Sequence, residues 1–381
     1  MAAPEKTGGS VTEECVDSAS PTSLGAPMEL NIMRLSGDET LLTVPQDLKL
    51  YDFKTLLAEH GILDERLQVE FLLDGVPLQQ NPEMTLMELG VDGSCPLMVV
   101  KKRGYDYSRI TKFEHEVLSE RWPQGVLTTQ EGLLHVCHFQ GELMVFSPEL
   151  VLVSKQILPR EVVNPSQMQM APNGDLVFAC SRTGGATAAV VDPKTMEVKR
   201  FLNAPGVVGA EGGRGLGLAL RGGIVYLSYG GRLSDGEKRG CVVALDFETG
   251  EVVQTFRGFA KPTGLCVAND QLLVSDRGAN EVRIMTLEGE DVHTIGQGQL
   301  KYPNDVAVDS CGNILVMDTG NERVAVFSPR GQLMASVLQG TFKDRGNTHS
   351  YISVNPLTGA ISVSMDDIHK VAILCPPISS G

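Results

Sequence analysis

The side chains in this 381-residue chain best suited to metal or nucleophilic chemistry are seven histidines and eight cysteines. Their spacing argues against both uses. Cys15, Cys95, Cys137, Cys180, Cys241, Cys266, Cys311 and Cys375 are scattered singly, with no CxxC pair. Neither a zinc site nor a secreted disulfide framework is supported by that pattern. His135 and His138, in LLHVCHF, are three residues apart on a strand and so face opposite ways, which does not suit a shared metal. Asn304, Asp305 and Asp318 carry the oxygens that calcium prefers and make the best case for metal-dependent hydrolysis. We expect no metal and no cofactor. The chain is acidic overall, net −15 from 32 basic and 47 acidic residues. From residue 104 onward we count 24 Lys and Arg against 30 Asp and Glu, a balance of −6 that argues against nucleic-acid binding. One basic group, Arg232, Lys238 and Arg239, is interspersed with Asp235 and Glu237 and reads as a solvated loop.

The elements that must position any site are set by a degenerate repeat. Tyr302 to Val337 reads as four short strands, NDVAVD, NILVMD, RVAVFS and QLMASV, separated by SCG, TGNE and PRG. Alternating apolar residues broken by Gly, Asn, Asp and Pro are what a four-stranded antiparallel meander requires. The preceding copy, from Lys261, aligns position for position, and the 41-residue spacing from Pro262 to Pro303 (303 − 262) suits a propeller blade. Four weaker copies begin at Gly125, Met168, Leu216 and Tyr351. The last lacks its fourth strand. The expectation is that residues 107–114, YSRITKFE, supply it and close a six-bladed ring, removing exposed sheet edges.

The repeat resembles the NHL family. The pattern is carried by Asp318, Asn321, Arg323 and Val324 in blade five and by Asp276, Asn280 and Val282 in blade four. WD40 and kelch propellers match poorly, because Trp122 is the only tryptophan and no GH…WD pairs occur. The resemblance implies a scaffold whose function lies in loops and channel rim. The loops entering each innermost strand and those joining second to third strands share one face. By alignment that face collects His138, Arg182, Arg214, Asp276, Arg277, Asn304, Asp305, Asp318, His349 and Asp366. The longest insertions lie on the same side, where recognition usually resides. Arg182, Arg214, Arg277, Asn304, Asp305 and His349 are therefore the candidate binding residues for a protein or peptide. Propeller lyases acting on peptidyl-hydroxyglycine resemble the scaffold too, but of their zinc-binding histidines only His349 has a match. Repeat aspartates such as Asp318 more often bond turn amides than act in catalysis.

The N-terminal part is a separate unit. Residues 1–27, rich in Ala, Gly, Ser, Thr, Glu and Pro, are expected to be a disordered tail. Residues 28–103 read strand, strand, helix, strand, short helix, strand, and resemble the ubiquitin-like fold, most closely in FLLDGVPL and TLMELGV. The resemblance places that fold's hydrophobic patch on Leu35, Leu72 and Val100. Lys101-Lys102-Arg103-Gly104 runs into Tyr105 without a diglycine terminus, so conjugation is unsupported, and Glu70 stands where ubiquitin has a basic residue.

The expected architecture is multidomain: an α+β ubiquitin-like (β-grasp) domain over 28–103 and an all-β six-bladed NHL-type propeller over 104–381. The expected function is a non-catalytic adaptor. Its propeller would recognise a protein or peptide, and its first domain would dock on a ubiquitin-receptor-type protein as an accessory to ligase substrate recognition. The alternative is a metal-dependent propeller hydrolase, lactonase- or esterase-like, with an appended ubiquitin-like domain. No signal peptide or membrane-spanning stretch is recognisable, so a cytoplasmic protein, with the nucleus open, is the expectation.

Overall fold

The computed structural model describes residues 27–34, 39–60, 62, 68–74, 76–78, 84–102, 107, 115–118, 122–129, 131–182, 185–204, 214–230, 240–341, 350–355, 359–365 and 368–375. It divides into two compact units, one of residues 1–65 with 69–102 and the other of 66–68 with 103–381.

In the first unit, β1 (Pro27–Arg34), β2 (Glu39–Pro45), α1 (Leu50–Glu59), β3 (Gln68–Leu73), β4 (Val76–Pro77) and β5 (Leu97–Lys102) follow in order. The sheet order is β2-β1-β5-β3-β4, with β1 antiparallel to β2 and parallel to β5. Alternation buries Met28, Leu30 and Ile32 of β1 and Leu97 and Val99 of β5. Leu50, Phe53 and Leu57 recur at helical spacing on α1 and close over the same core, where the Phe53 and Phe71 rings sit 5.6 Å apart. The TLMELG segment, expected as a short helix, is a run of turns. It starts with a capping box in which Thr85 N donates to Glu88 Oε2 (2.8 Å) and Glu88 N to Thr85 Oγ1 (3.2 Å).

The second unit is a ring of six four-stranded antiparallel sheets. Their innermost strands are Pro123–Thr128, Met168–Met170, Arg214–Arg221, Pro262–Ala268, Pro303–Val308 and Ile352–Val354. An apolar cluster fills each junction between neighbouring blades. Leu127 and Leu143 meet Met168 and Phe178 between blades one and two, and Val126 and Val136 meet Tyr351 and Val371 between six and one. Each large apolar side chain buried this way contributes about 1.5–3 kcal/mol.

Ring closure occurs one segment later than expected. The fourth strand of the last blade is β6 (His115–Leu118), antiparallel to Lys370–Leu374 with Val117 opposite Val371. Of the 107–114 segment only Tyr107 is among the described residues. It is buried in the blade five–six core and donates to Asp309 Oδ2 at 2.5 Å.

Strand amides alternate in direction, so one of Glu116 and Val117 must face the ladder. Glu116→Pro with Val117→Pro therefore removes a closing bond at a cost of about 1–3 kcal/mol. The expected drop in the propeller's melting temperature is roughly 2–12 °C. An unchanged melt would show that β6 does not close the ring.

Candidate functional site

The start of each innermost strand is where the six blades approach most closely, and a triplet occupies that point. Blades one and four read Pro123-Gln124-Gly125 and Pro262-Thr263-Gly264; blades two and five read Pro165-Ser166-Gln167 and Pro303-Asn304-Asp305. Gly217 and Tyr351 hold the third position in blades three and six. Glycine there is a requirement of space. A Cβ on Gly217 would lie 1.9 Å from Thr263 O, and one on Gly264 would lie 2.1 Å from Asp305 Oδ1. Three positions without side chains leave room for three large ones.

Two of these, Gln167 and Asp305, meet across the centre. Gln167 Oε1 accepts from Leu218 N (2.8 Å) and Leu265 N (3.2 Å), in blades three and four. Its Nε2 donates to Leu265 O (2.8 Å) and to Asp305 Oδ1 (3.2 Å) in blade five. Asp305 also accepts from Val306 N (2.9 Å) and, through Oδ2, from Ile352 N of blade six (2.9 Å). One amide and one carboxyl thus tie five blades. Burial pushes the Asp305 carboxyl up to about 8, against the pull of the Ile352 and Val306 N–H groups.

A second device repeats around the ring. Ser228 Oγ accepts from Gly217 N of its own blade and donates to Thr263 O of the next, at 2.8 and 2.5 Å. Ser364 does the same for Tyr351 N and Gln124 O, stitching blade six to blade one. Cys137 takes the role between blades one and two, toward Ser166 O. Its thiol is pushed up to about 12 by burial, which leaves it a hydrogen-bonding group and not a nucleophile.

The repeat's signature polar residues are turn clamps. Asp276 accepts from Ala260 N and Lys261 N, both at 2.7 Å, and from Gly278 N at 3.1 Å. Asp318 accepts from Lys301 N (2.7 Å), Asn321 Nδ2 (2.8 Å) and Arg323 Nε (2.8 Å), which accounts for the D-x-x-N-x-R spacing.

Three of the candidate binding residues are therefore interior. Asn304 is 1 % exposed and donates to Ser350 O of blade six at 2.7 Å. Asp305 is fully buried, and Arg277 reaches from blade four to Tyr302 O and Thr319 Oγ1 of blade five. The physical reason is the narrowness of the ring: polar groups at the strand starts face neighbouring blades before they face solvent. Arg182 and Arg214 end and begin strands on the expected face, but their side chains, like His349 and Asp366, lie outside the described residues. In the first unit Leu72 is half-buried on β3 and Val100 lies on β5, while Leu35 and the Val100 side chain lie outside the described residues. Among the described residues no group of three or more His, Cys, Asp and Glu side chains gathers.

What remains exposed on the face is aromatic and cationic. Trp122, just before Pro123, is 45 % exposed and meets Phe139 and His369 edge-on at 5.9 and 6.0 Å. Tyr302, just before Pro303, is 44 % exposed, with the Arg277 guanidinium 5.4 Å and the Lys301 ammonium 6.0 Å from its ring. The alignment of X-Pro positions could have found both. Gln167 carries one local signal, the replacement of glycine in its triplet, which does not reveal its partners. On the opposite face a cavity of about 400 Å³ opens between blades six and one, lined by Thr128, Leu134, Leu150, Asn355, Ser362 and Ile373.

The NHL repeat model matches residues 300–327. The β-propeller domain of Swd1 (Cps50) from Myceliophteria thermophila superposes with a TM-score of 0.51 at 12% identity, covering 70% of this chain and 99% of that one. Virginiamycin B lyase from Staphylococcus aureus gives 0.49 at 13% identity, over 70% and 100%. A streptogramin B lyase gives 0.48 at 9%, over 68% and 96%. The chain is a propeller protein with an NHL repeat, and at these identities the structural likeness concerns the fold alone. No described helix is long and apolar enough to cross a membrane.

The Asp305 carboxyl carries a pH signature. Its folded value, about 8, lies above the roughly 3.9 of an unfolded aspartate. Between those values the native state holds a proton that the unfolded state has lost, so stability falls as pH rises through the window. Asp305→Asn cannot titrate. Its melting-temperature deficit against the natural sequence should be clearly larger at pH 5 than at pH 8.5. A deficit that grows with pH would show instead that the ionised carboxylate is the stabilised form.

Proposed function

We propose that the chain is a two-ended, non-catalytic adaptor. Its propeller holds a protein or peptide on the face of Trp122 and Tyr302, and its N-terminal unit docks on ubiquitin-system proteins. The observation that carries this reading is the division of labour on the face. The carboxylates and amides suited to chemistry, Asp276, Asp305, Asp318 and Gln167, are committed to holding blades and turns together. Half-exposed aromatics and cations are left at the surface, the composition of a recognition surface. The hydrolase alternative needs channel oxygens free to bind an ion, and the carboxyl groups of Asp305 and Asp318 already accept three hydrogen bonds each from protein donors.

A ubiquitin-like reading of the first unit is supported by its strand order, its parallel β1–β5 pair and the packing of α1 on the sheet. Leu72 sits on β3 beside the fully buried Phe71, half-buried and able to present part of its side chain to a partner. Leu35, Leu72 and Val100 are the proposed patch. Arg182, Arg214 and His349 are proposed to extend the propeller's recognition face. The proposed compartment is the cytoplasm.

Proximity labelling of the full chain tests the two-ended logic. Leu72→Asp should remove ubiquitin-system proteins from the labelled set, while Trp122→Ser should remove a different set, with both variants folded by circular dichroism. Loss of the same proteins in both variants, or of none in either, would contradict the adaptor reading.

A further inference from the structure

The blade four–five sector of the recognition face gathers positive charge on an otherwise acidic protein. Lys261 and Lys301 occupy equivalent loops, each leading into the proline that starts an innermost strand, and both are exposed. Arg277 lies between them. Its amide donates to Lys261 O at 3.0 Å, and its guanidinium sits 5.4 Å from the Tyr302 ring, against which Lys301 approaches at 6.0 Å. The Lys261 stem runs along two glycines: a Cβ on Gly230 would lie 3.3 Å from Lys261 Cγ, and one on Gly278 would lie 3.0 Å from Lys261 Cβ. That passage fixes the stem against blades three and four. The Lys261 ammonium is held below its ordinary range, first by loss of surrounding water and then by the Arg277 charge beside it.

The carboxylates nearest in the chain are turned to other work. Asp276 and Asp318, from the same blades, are 1 % and 0 % exposed, and each accepts backbone amides of the loops that carry the two lysines. Glu281 accepts from Gln297 Nε2 at 3.0 Å. Arg277 and Lys301 beside an exposed aromatic ring, with Lys261 next to Arg277 and with Asp276 and Asp318 facing inward, form a surface that an anionic partner relieves.

We infer that this sector, the exposed Lys261 and Lys301 and the Tyr302 ring with Arg277 packed behind it, is a receptor for acidic peptide segments, with Glu or Asp carboxylates held by the two ammonium groups and the adjoining peptide backbone against Tyr302. The inference rests on the adaptor reading and names the partner chemistry for that face. A peptide suits it better than a nucleic acid. Two exposed lysines and one ring make a footprint a few residues wide, and a polyphosphate backbone tracking further would meet a protein of net charge −15.

The test uses the full-length protein and a fluorescein-labelled peptide of alternating Glu and Gly, followed by anisotropy at low salt. Comparison probes are the Ser–Gly and Lys–Gly peptides and an oligouridine RNA of similar length. The Glu–Gly peptide should bind best and weaken as salt is raised. Lys261→Gln with Lys301→Gln should weaken it roughly fivefold to tenfold, and Lys261→Arg with Lys301→Arg should keep most of the affinity. Equal binding of Glu–Gly and Ser–Gly, no effect of the double Gln variant, or tighter binding of RNA would each overturn the inference. If it fails while Trp122→Ser still removes its own partner set, only the acidic chemistry is wrong. If Trp122→Ser also removes nothing, the adaptor reading fails with it.

Discussion

Six blades can close a ring only if the starts of their innermost strands meet at the axis without clash and without stranding buried polar groups. That requirement governs the rest of the propeller. Three of the six central positions are glycines, which let backbones approach to distances no side chain would permit. The space so released is filled by Gln167, Asp305 and Tyr351. Gln167 and Asp305 satisfy strand amides in blades three to six that the ladder leaves unpaired. An unmade bond at such a site costs about 1–3 kcal/mol, so replacing either residue by an apolar one exposes several liabilities at once. The Ser228, Ser364 and Cys137 bridges extend the same solution outward by one shell.

Closure at the centre has a functional consequence. With the axis bridged from blade two to blade five, the polar residues of the strand starts serve architecture, and the proposed recognition surface lies further out, on the loops before the prolines. Trp122, Lys261, Lys301 and Tyr302 all lie in that outer ring of positions. Backbone bonds and the clamping aspartates hold those loops, so the surface is preorganised rather than assembled on contact.

The sequence made the blades legible because their apolar alternation and turn residues are local properties. The four-stranded meanders, the need for an extra strand in the last blade and the turn-clamping role of Asp318 could all be read from it. The closing strand was placed too early. Tyr107 has strand-like neighbours, and nothing local says that its ring is buried against Asp309 some two hundred positions away. Asn304, Asp305 and Arg277 were read as rim residues because alignment gives their face of the propeller but not their radius from the axis. A short distance inward turns a binding group into a structural one. Gln167 went unnoticed for a related reason. Its importance lies in contacts with Leu218, Leu265 and Asp305, in three other repeats, which no single repeat displays.

The measurement closest to the central claim is amide hydrogen exchange in Gln167→Ala compared with the natural sequence. If one side chain of blade two caps amides in other blades, Leu218 in blade three and Leu265 in blade four should exchange faster in the variant. The acceleration should exceed that of outer-strand amides in the same two blades, which report only the general loss of stability. Uniform acceleration across inner and outer strands, or none at Leu218 and Leu265, would show that the axis is held by something other than Gln167.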